Sequence, residues 1–311
     1  MPENLTKCPL CGDESFAPFF VFKHTIRPDS YHSICPTCGA VFMNPRPTEK
    51  ELAEYYQGEY REQVGKTKNP TPQNNMEETK RSQRLQWWIG RYLPTVKRHL
   101  DIGSSLGLLL NAVWNTFGCE SVGIEPGDAF REAAEKGLES VKQPTTLYTD
   151  ISEVPETPKF DLITMSHILE HLPDPIGFLE NLINHYLEPK GHIVIEVPNL
   201  WGEPTAILYP HLFAFTQDTL WQTMNKAGLT PISVETSYVG WQIHVSPPSY
   251  LTAIGRLGDV NQSELSKSIY PRVVRQIITM NKIRNRAAED FTDNQKKQMG
   301  GVWTVQEKKE T

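Results

Sequence analysis

The feature that most constrains this chain is a strand, a glycine-bearing turn and a helix, followed by a second strand that ends in a carboxylate. It runs from Val96 to Gly107 and resumes at 123–126 (Gly-Ile-Glu-Pro). A turn without bulky Cβ atoms lets backbone amides approach a ligand, and an acid about 20 residues later can bind a ribose diol. The arrangement therefore predicts a nucleoside site. A dinucleotide fingerprint would need glycines where Ser105 and Leu108 stand, so NAD and FAD are disfavoured.

The pattern around this turn alternates strands and helices, which predicts an α/β fold with parallel strands and helices on both faces of the sheet. We expect strands at 97–102, 121–125, 145–148, 160–165 and 192–197, and helices at 106–117, 128–136, 175–187 and from Thr216 to Gly228. Further strands at 229–236 and 239–245 would bring the doubly wound sheet to seven strands. Gly118 and Gly137 stand where helices are expected to end.

Four of the five cysteines occur in two copies of one motif, C-P-x-C-G. In such a knuckle two thiolates share a tight turn, and the following glycine can take a positive φ. Four thiolates suit tetrahedral zinc in a structural role, with iron in a rubredoxin-like site as the alternative. The expected ligands are Cys8, Cys11, Cys35 and Cys38, whereas Cys119 is expected to be a buried apolar residue.

Four regions are expected along the chain: a zinc ribbon at 1–45, a helical linker and lid at 46–95, a nucleoside-binding domain at 96–246 and a helical extension with a polar tail at 247–311. Ribbon strands are expected at 16–22 and 31–34. Thr48 can cap a helix through Glu51. The polar, proline-broken stretch 65–78 predicts a mobile loop, and a helix is expected from Arg81 to Tyr92.

Neither the net charge nor the distribution of apolar residues indicates a protein that binds nucleic acid or spans a membrane. The 311 residues carry a formal net charge of −6, whereas phosphate binding needs clustered Lys and Arg. No apolar run approaches the roughly 18 residues of a membrane span, and the start lacks the apolar segment of a signal peptide, so we expect a cytoplasmic protein. No motif in the chain specifies an oligomeric state.

Two segments carry a family resemblance. Residues 101–107 resemble the first motif, acid-x-Gly-x-Gly-x-Gly, of the class I (Rossmann-like) S-adenosylmethionine-dependent methyltransferases, with Ser105 in place of the middle glycine. Residues 160–175 resemble the segment after the fourth strand of the small-molecule methyltransferases, including an L-E-H turn. With its N-terminal cysteines and the Tyr55-Tyr56 helix, the chain is similar over residues 1 to about 245 to a zinc-ribbon subgroup that includes sugar C-methyltransferases.

The resemblance implies S-adenosylmethionine as the cofactor. The glycine turn would wrap its methionine and ribose, the acid after the second strand would bind the ribose hydroxyls, and the end of the fourth strand would meet the methionine. The implied cofactor residues are Asp101, Gly103, Ser104, Ser105, Gly107, Glu125, Pro126, Asp150, Ile151, Met165, Ser166 and His167. Asp150 and Ile151 would hold the adenine, although a turn with a helix cap explains the same residues.

A base is needed only if the acceptor carries a proton. The candidates are His211, with Tyr209 beside it, and then His171, although a packed helix residue also explains the last. His167 is a further histidine in the same region. Tyr55 and Tyr56 could cover the cofactor, but aromatic residues on a helix usually belong to the core. Trp201, Trp221 and Trp241 are interpreted in the same way.

The leading hypothesis is an enzyme that methylates a small polar metabolite, with a nucleotide-linked sugar or another hydroxylated intermediate as the acceptor. The rival is a non-catalytic module that binds nucleic acid or a protein, supported by the basic stretch from Arg272 to Arg286. An enzyme must bind S-adenosylhomocysteine, and a scaffold need not.

Overall fold

The computed structural model describes residues 2–22, 28–57, 69–202, 204–237, 248–258 and 303–305. The strands in chain order are β1 (Ala17–Phe22), β2 (Ser30–Ile34), β3 (Val41–Met43), β4 (Arg98–Ile102), β5 (Glu120–Ile124), β6 (Thr145–Tyr148), β7 (Phe160–Ser166), β8 (Leu187–Pro198), β9 (Phe213–Ala214), β10 (Leu229–Ser237), β11 (Tyr250–Leu257) and β12 (Trp303–Val305). The helices are α1 (Glu49–Gln57), α2 (Pro72–Tyr92), α3 (Leu108–Phe117), α4 (Asp128–Ser140), α5 (Pro175–Asn181) and α6 (Gln217–Lys226).

The larger sheet has seven strands in the order β10-β11-β8-β7-β4-β5-β6. The five strands from β8 to β6 run parallel, and β11 pairs antiparallel with both of its neighbours. Leu100, Ile163 and Ile193, from three central strands, are completely buried. Burying a side chain of this size stabilises a fold by about 1.5–3 kcal/mol. The doubly wound α/β sheet is confirmed, and its parallel strands end at one common edge.

The last strand of this sheet corrects the sequence analysis. The strand expected at 239–245 falls on residues outside the described part of the chain, and helices were expected after Pro247-Pro248. Instead β11 lies between β8 and β10, with residues 251–255 buried. Residues buried on both faces of a sheet lack the alternation that reveals an exposed strand. The sheet therefore continues past residue 246, where the domain was expected to end.

Helix α2 corrects a second expectation. The stretch 65–78 was interpreted as a mobile loop, but α2 begins at Pro72. The Thr71 hydroxyl accepts from the Asn74 amide, the Asn74 side chain accepts from the Thr71 amide, and Pro72 occupies the first turn. A capping box followed by proline stabilises a helix start in spite of a polar sequence.

The expected helix boundaries are confirmed in most places. Thr48 and Glu51 form the expected capping box at α1, and Thr216 caps α6. Gly118 ends α3 with φ +67. The expectation that a helix ends at Gly137 was wrong, since α4 continues to Ser140. The helix expected at 175–187 divides into α5 and a π-helical turn at Leu182–Tyr186.

The smaller sheet has five strands in the order β12-β1-β2-β3-β9. The two expected ribbon strands are present as β1 and β2. The sheet also includes β9, from the loop after β8, and β12, from the region expected to be a helical extension with a polar tail. A unit of about 45 residues buries too little apolar surface to stand alone, which is a physical reason for its union with other strands. Among the described helices, none combines the length and apolar character needed to cross a membrane.

Candidate active site

The glycine turn, residues 103–107, links the carboxyl end of β4 to α3. Gly103, Ser105 and Gly107 all have positive φ, with values of +74, +47 and +70. Ser105 thus adopts the left-handed conformation that the missing glycine would have supplied. A Cβ atom on Gly103 would force the end of the Ile168 side chain to shift, and the φ of +74 is strained for any residue other than glycine. The turn is tight, and its backbone amides are hydrogen-bonded within the protein: Gly103 and Ser104 donate to the Ile124 carbonyl and Ser105 to Glu125.

Three carboxylates surround this turn. Glu125 accepts hydrogen bonds from the Ser105 amide (3.0 Å) and the Gly127 amide (2.7 Å). Glu78, which projects from α2, accepts from the Ser105 hydroxyl at 2.9 Å. Asp101, at the end of β4, is only 3% exposed. A site bordered by three acids favours a ligand that carries positive charge.

A buried chain of hydrogen bonds holds Asp101. The Thr164 hydroxyl donates to Asp101 at 2.6 Å, and His99 Nε2 lies 2.7 Å from the same hydroxyl. Burial lowers the pKa of His99 to about 3, so its imidazole is neutral. Burial raises the pKa of Asp101 to about 7, opposed by the Thr164 hydrogen bond and assisted by Glu78 and Glu125. Asp101 can therefore gain or lose a proton near neutral pH.

A second polar group lies at the ends of β7 and β8. Glu196 on β8 has a fully buried side chain, and Arg84 on α2 lies 2.6 Å from its carboxylate. Ser166 donates to the same carboxylate at 3.1 Å. His167 has φ +58 and lies near two acids, with Nδ1 3.3 Å from Glu170 and Nε2 3.8 Å from Glu196. Backbone strain of this kind is concentrated at functional sites.

The histidine cluster consists of Glu170, His171 and His211. The two imidazole rings meet edge to face with centroids 4.6 Å apart. One side-chain donor atom from each of the three residues lies within 4.8 Å of the others. Glu170 is 1% exposed, and burial raises its pKa to about 8. The cluster can accept a proton from a bound molecule, and its donor set is also one that a divalent cation could accept.

The four expected metal ligands lie together. Cys8 and Cys38 have their sulfur atoms 3.6 Å apart, and Cys11 and Cys35 have theirs 3.5 Å apart. Sulfur atoms bound to one tetrahedral zinc at about 2.3 Å would be about 3.8 Å apart. Gly12 and Gly39 have φ of +79 and +75, as expected for the knuckles. The cluster is thus compatible with zinc.

Three predicted cofactor residues lie in positions that do not favour contact with a ligand at the glycine turn. Pro126 is exposed beside Glu125, and Met165 is 1% exposed within the core. Asp150 is exposed and caps the short helix Ile151–Glu153 by accepting from Ser152, as the alternative interpretation expected. Gly103, Ser104, Ser105, Gly107, Glu125 and Asp101 come together at the turn, and Ser166 and His167 lie at the end of the neighbouring strand β7.

The predicted catalytic residues also come together. His171 and His211 are neighbours, and Tyr209 packs edge to face on Tyr55 with ring centroids 4.7 Å apart. Tyr55 is 7% exposed, so it belongs to the core. Cys119 is buried as expected. Trp241 and the side chain of Tyr56 lie outside the described residues.

Sequence reasoning missed Glu78, His99 and Glu196. Glu78 stood in the stretch interpreted as a loop, and the Thr71-Pro72 cap is the signal that could have placed it on a helix. His99 and Glu196 lie within strands, where the sequence does not show which side chains meet. Only the pairing of β4 with β7 brings His99 to Thr164.

Residues 75–234 match a family model described as a methyltransferase domain. Two curated relatives are named ubiquinone biosynthesis O-methyltransferase. The one from Marinobacter nauticus is 32% identical over 108 residues, which cover 33% of this chain and 44% of that protein. The one from Stutzerimonas stutzeri is 30% identical over 118 residues, which cover 36% and 49%. The match thus spans less than half the length of either relative.

A solved structure supports the fold. It is the 1,6-didemethyltoxoflavin-N1-methyltransferase of Burkholderia thailandensis, with bound 1,6-didemethyltoxoflavin and S-adenosylhomocysteine. The TM-score is 0.53 at 16% identity, and the alignment covers 71% of this chain and 96% of that one. The likeness shows a shared fold.

Proposed function

Because this chain belongs to the methyltransferase-domain family, we propose that it transfers a methyl group from S-adenosylmethionine to a hydroxylated small molecule. The observation that carries the proposal is the glycine turn bordered by Glu78, Asp101 and Glu125. S-adenosylmethionine has two cationic centres, a sulfonium and an ammonium, and one carboxylate. Three acids around the turn complement those two positive charges.

The curated relatives support a hydroxyl acceptor, because they are named O-methyltransferases. The nucleotide-linked sugar expected from the sequence has no support in those names, so the proposal is limited to a hydroxylated small molecule. The non-catalytic rival rested on the basic stretch from Arg272 to Arg286, which lies outside the described residues.

In this proposal the bound cofactor supplies an electrophilic methyl group. The protein's task is then to align the acceptor oxygen and remove its proton, since positioning provides much of the rate of a displacement. His211 takes the proton from the acceptor hydroxyl. His171 packs on the ring of His211 and limits its orientation. Glu170, with its pKa raised to about 8 by burial, stays protonated at neutral pH and adds no competing negative charge.

Glu125 and Asp101 have separate tasks in the proposal. Glu125 binds the ribose hydroxyls while its own hydrogen bonds from Ser105 and Gly127 fix its position. Asp101 faces the ammonium group of the methionine. The four cysteines hold zinc in a structural role, because four protein sulfurs leave the ion no open coordination position. Cysteines that bind a metal and form no disulfide are typical of reducing compartments, so the proposed location is the cytoplasm.

Calorimetry with S-adenosylhomocysteine tests the cofactor site. We expect micromolar affinity, about −8 kcal/mol. Glu125→Ala should weaken it roughly 10- to 100-fold, because charge-assisted hydrogen bonds are worth about 1.5–3 kcal/mol. Glu132→Ala is the matched control, since Glu132 is an exposed residue of α4 that pairs only across the helix surface with Lys136. Equal affinity in the Glu125 variant and the control would place the ribose elsewhere.

The acceptor class needs a second assay. Isotopically labelled cofactor would be incubated with panels of phenols, polyols, amines and nucleotide-linked sugars. Label transferred to oxygen supports the proposal. Transfer to nitrogen or carbon alone would contradict the hydroxyl acceptor. Cofactor binding without label transfer to any compound of these panels would favour the scaffold hypothesis.

A further inference from the structure

The cysteine-bearing sheet and the histidine cluster are joined by backbone hydrogen bonds. Strand β3 pairs with β9 through Val41↔Ala214 and Phe42↔Phe213. The residue between His211 and β9 is Leu212. Its carbonyl accepts from the Met43 amide at 2.8 Å, and its amide donates to the Glu170 carbonyl at 2.7 Å. One residue therefore links the N-terminal module to the backbone of the cluster.

Two more contacts fix the module against the larger domain. The Gln222 side chain on α6 donates to the carbonyl of Cys38 at 3.1 Å, within the core. The Arg46 side chain donates to the carbonyl of Pro173, two residues after His171, at 2.9 Å. These bonds connect the second cysteine knuckle to α6, and the segment after β3 to the chain just after His171. A separate binding module on a mobile linker would not need them.

His32 brings a side chain of the module to the cluster. It lies on β2 opposite Met43 and is 1% exposed. Burial lowers the pKa of His32 to about 3, the charge of His211 lowers it further, and an interaction with the backbone of His211 opposes both effects. His32 is therefore a neutral imidazole, and it lies close to His211 because its strand partner Met43 donates to the carbonyl of Leu212, the residue after His211. It lies three residues before the ligand Cys35 and has no task in the mechanism above.

We propose that the cysteine-bearing module forms one wall of the acceptor site and that His32 is a positioning residue for His211. This inference rests on the proposed function, because it assumes that His211 is the base. His32 does not touch the acceptor. It fills the space beside His211 with a neutral ring, so His211 can become positively charged during proton transfer without meeting a second cation. A metal bound by the four cysteines would contribute only indirectly, by holding β2 and β3 in register.

The test compares His32→Phe, which keeps a ring of similar size, with His32→Gln, which keeps a polar group. Tyr31→Phe is the control, because Tyr31 is the neighbouring residue on β2 and is 40% exposed. All variants would be assayed as the full chain, with metal content measured in each. The readouts are kcat, the KM of the acceptor, calorimetric affinity for S-adenosylhomocysteine, and the NMR signals of the His211 ring at one pH.

We expect His32→Phe to lower kcat about 10-fold or more, since displacing a general base forfeits part of its roughly 10²–10⁴-fold contribution. Cofactor affinity and metal content should stay within about twofold, because the glycine turn and the cysteines are untouched. The His211 ring signals should shift in His32→Phe. His32→Gln should recover part of the rate, and Tyr31→Phe should match the wild type.

Three results would overturn the inference. The first is a metal-loaded His32→Phe protein with wild-type kcat and unmoved His211 signals. The second is a parallel loss of rate, cofactor affinity and metal, which means a general folding defect. The third is an equal loss in Tyr31→Phe. Failure of the proposed function looks different, because then the wild type itself transfers no label.

Discussion

Asp101 should make cofactor affinity depend on pH. Its carboxyl is buried beside Thr164, Glu78 and Glu125, and burial raises its pKa from 3.8 to about 7. Below that value most molecules carry a neutral Asp101, which cannot form an ion pair with the cofactor's ammonium group. Affinity should therefore fall as the pH falls through 7. A residue with an ordinary carboxyl pKa would give no such change above pH 5.

The magnitude follows from the fraction ionised. With a pKa of about 7, about one tenth of Asp101 is ionised at pH 6 and about nine tenths at pH 8. If only the ionised form binds well, the dissociation constant for S-adenosylhomocysteine should be about tenfold larger at pH 6 than at pH 8, or about 1.4 kcal/mol. At pH 6 binding should release close to one proton for each ligand bound.

Calorimetry at constant ionic strength, in buffers with different ionisation enthalpies, measures both quantities. Asp101→Asn is the matched variant, because an amide can still accept from the Thr164 hydroxyl but cannot ionise. At pH 8 this variant should bind S-adenosylhomocysteine more weakly than the wild type, and its affinity should not change between pH 6 and 8. Any slope that remains in this variant belongs to the ligand or to another residue. Wild-type affinity that is flat from pH 6 to 8, or a slope unchanged in Asp101→Asn, would refute the reasoning.

Two further predictions concern the base and the metal. His211→Ala should lower turnover by roughly 10²–10⁴ while cofactor affinity stays within about twofold, as steady-state kinetics and calorimetry would measure. Loss of cofactor affinity instead would mark His211 as a packing residue. Cys8→Ser should lose the metal and unfold the N-terminal module, because a structural zinc supplies folding energy, and elemental analysis should find about one zinc per wild-type chain. Fresh wild-type protein without stoichiometric metal would reject that assignment.

The sequence predicted the features that depend on local patterns. The β4 turn, the parallel strands, the knuckle glycines and the capping box at Thr48 follow from residues close together in the chain, and the structure has them all. The α2 start at Pro72 was missed because polar composition was weighed above a cap that was present in the sequence.

The rest depends on contacts between distant residues. Glu78 and Ser105 are 27 residues apart, and Arg84 and Glu196 are more than 100 apart. No local pattern indicates such pairs, and the pKa of Asp101 depends on burial that only the assembled sheet creates. Strand β11 was mistaken for helix because its core residues are buried on both faces and show no alternation. The contribution of Glu78 to the glycine turn and the packing of His171 on His211 therefore became visible only with the fold.

The pairing of β3 with β9 has a practical consequence for anyone who shortens this protein. A chain trimmed to its methyltransferase domain would leave β9 as an open edge, with backbone groups free to pair with another molecule. The neighbouring Leu212, Phe213 and Phe215, now 1%, 4% and 2% exposed, would lose part of their cover. Open edges beside apolar patches favour aggregation. A minimal fragment for expression or crystallisation should therefore keep residues 2–48, even where the metal itself is of no interest to the experiment.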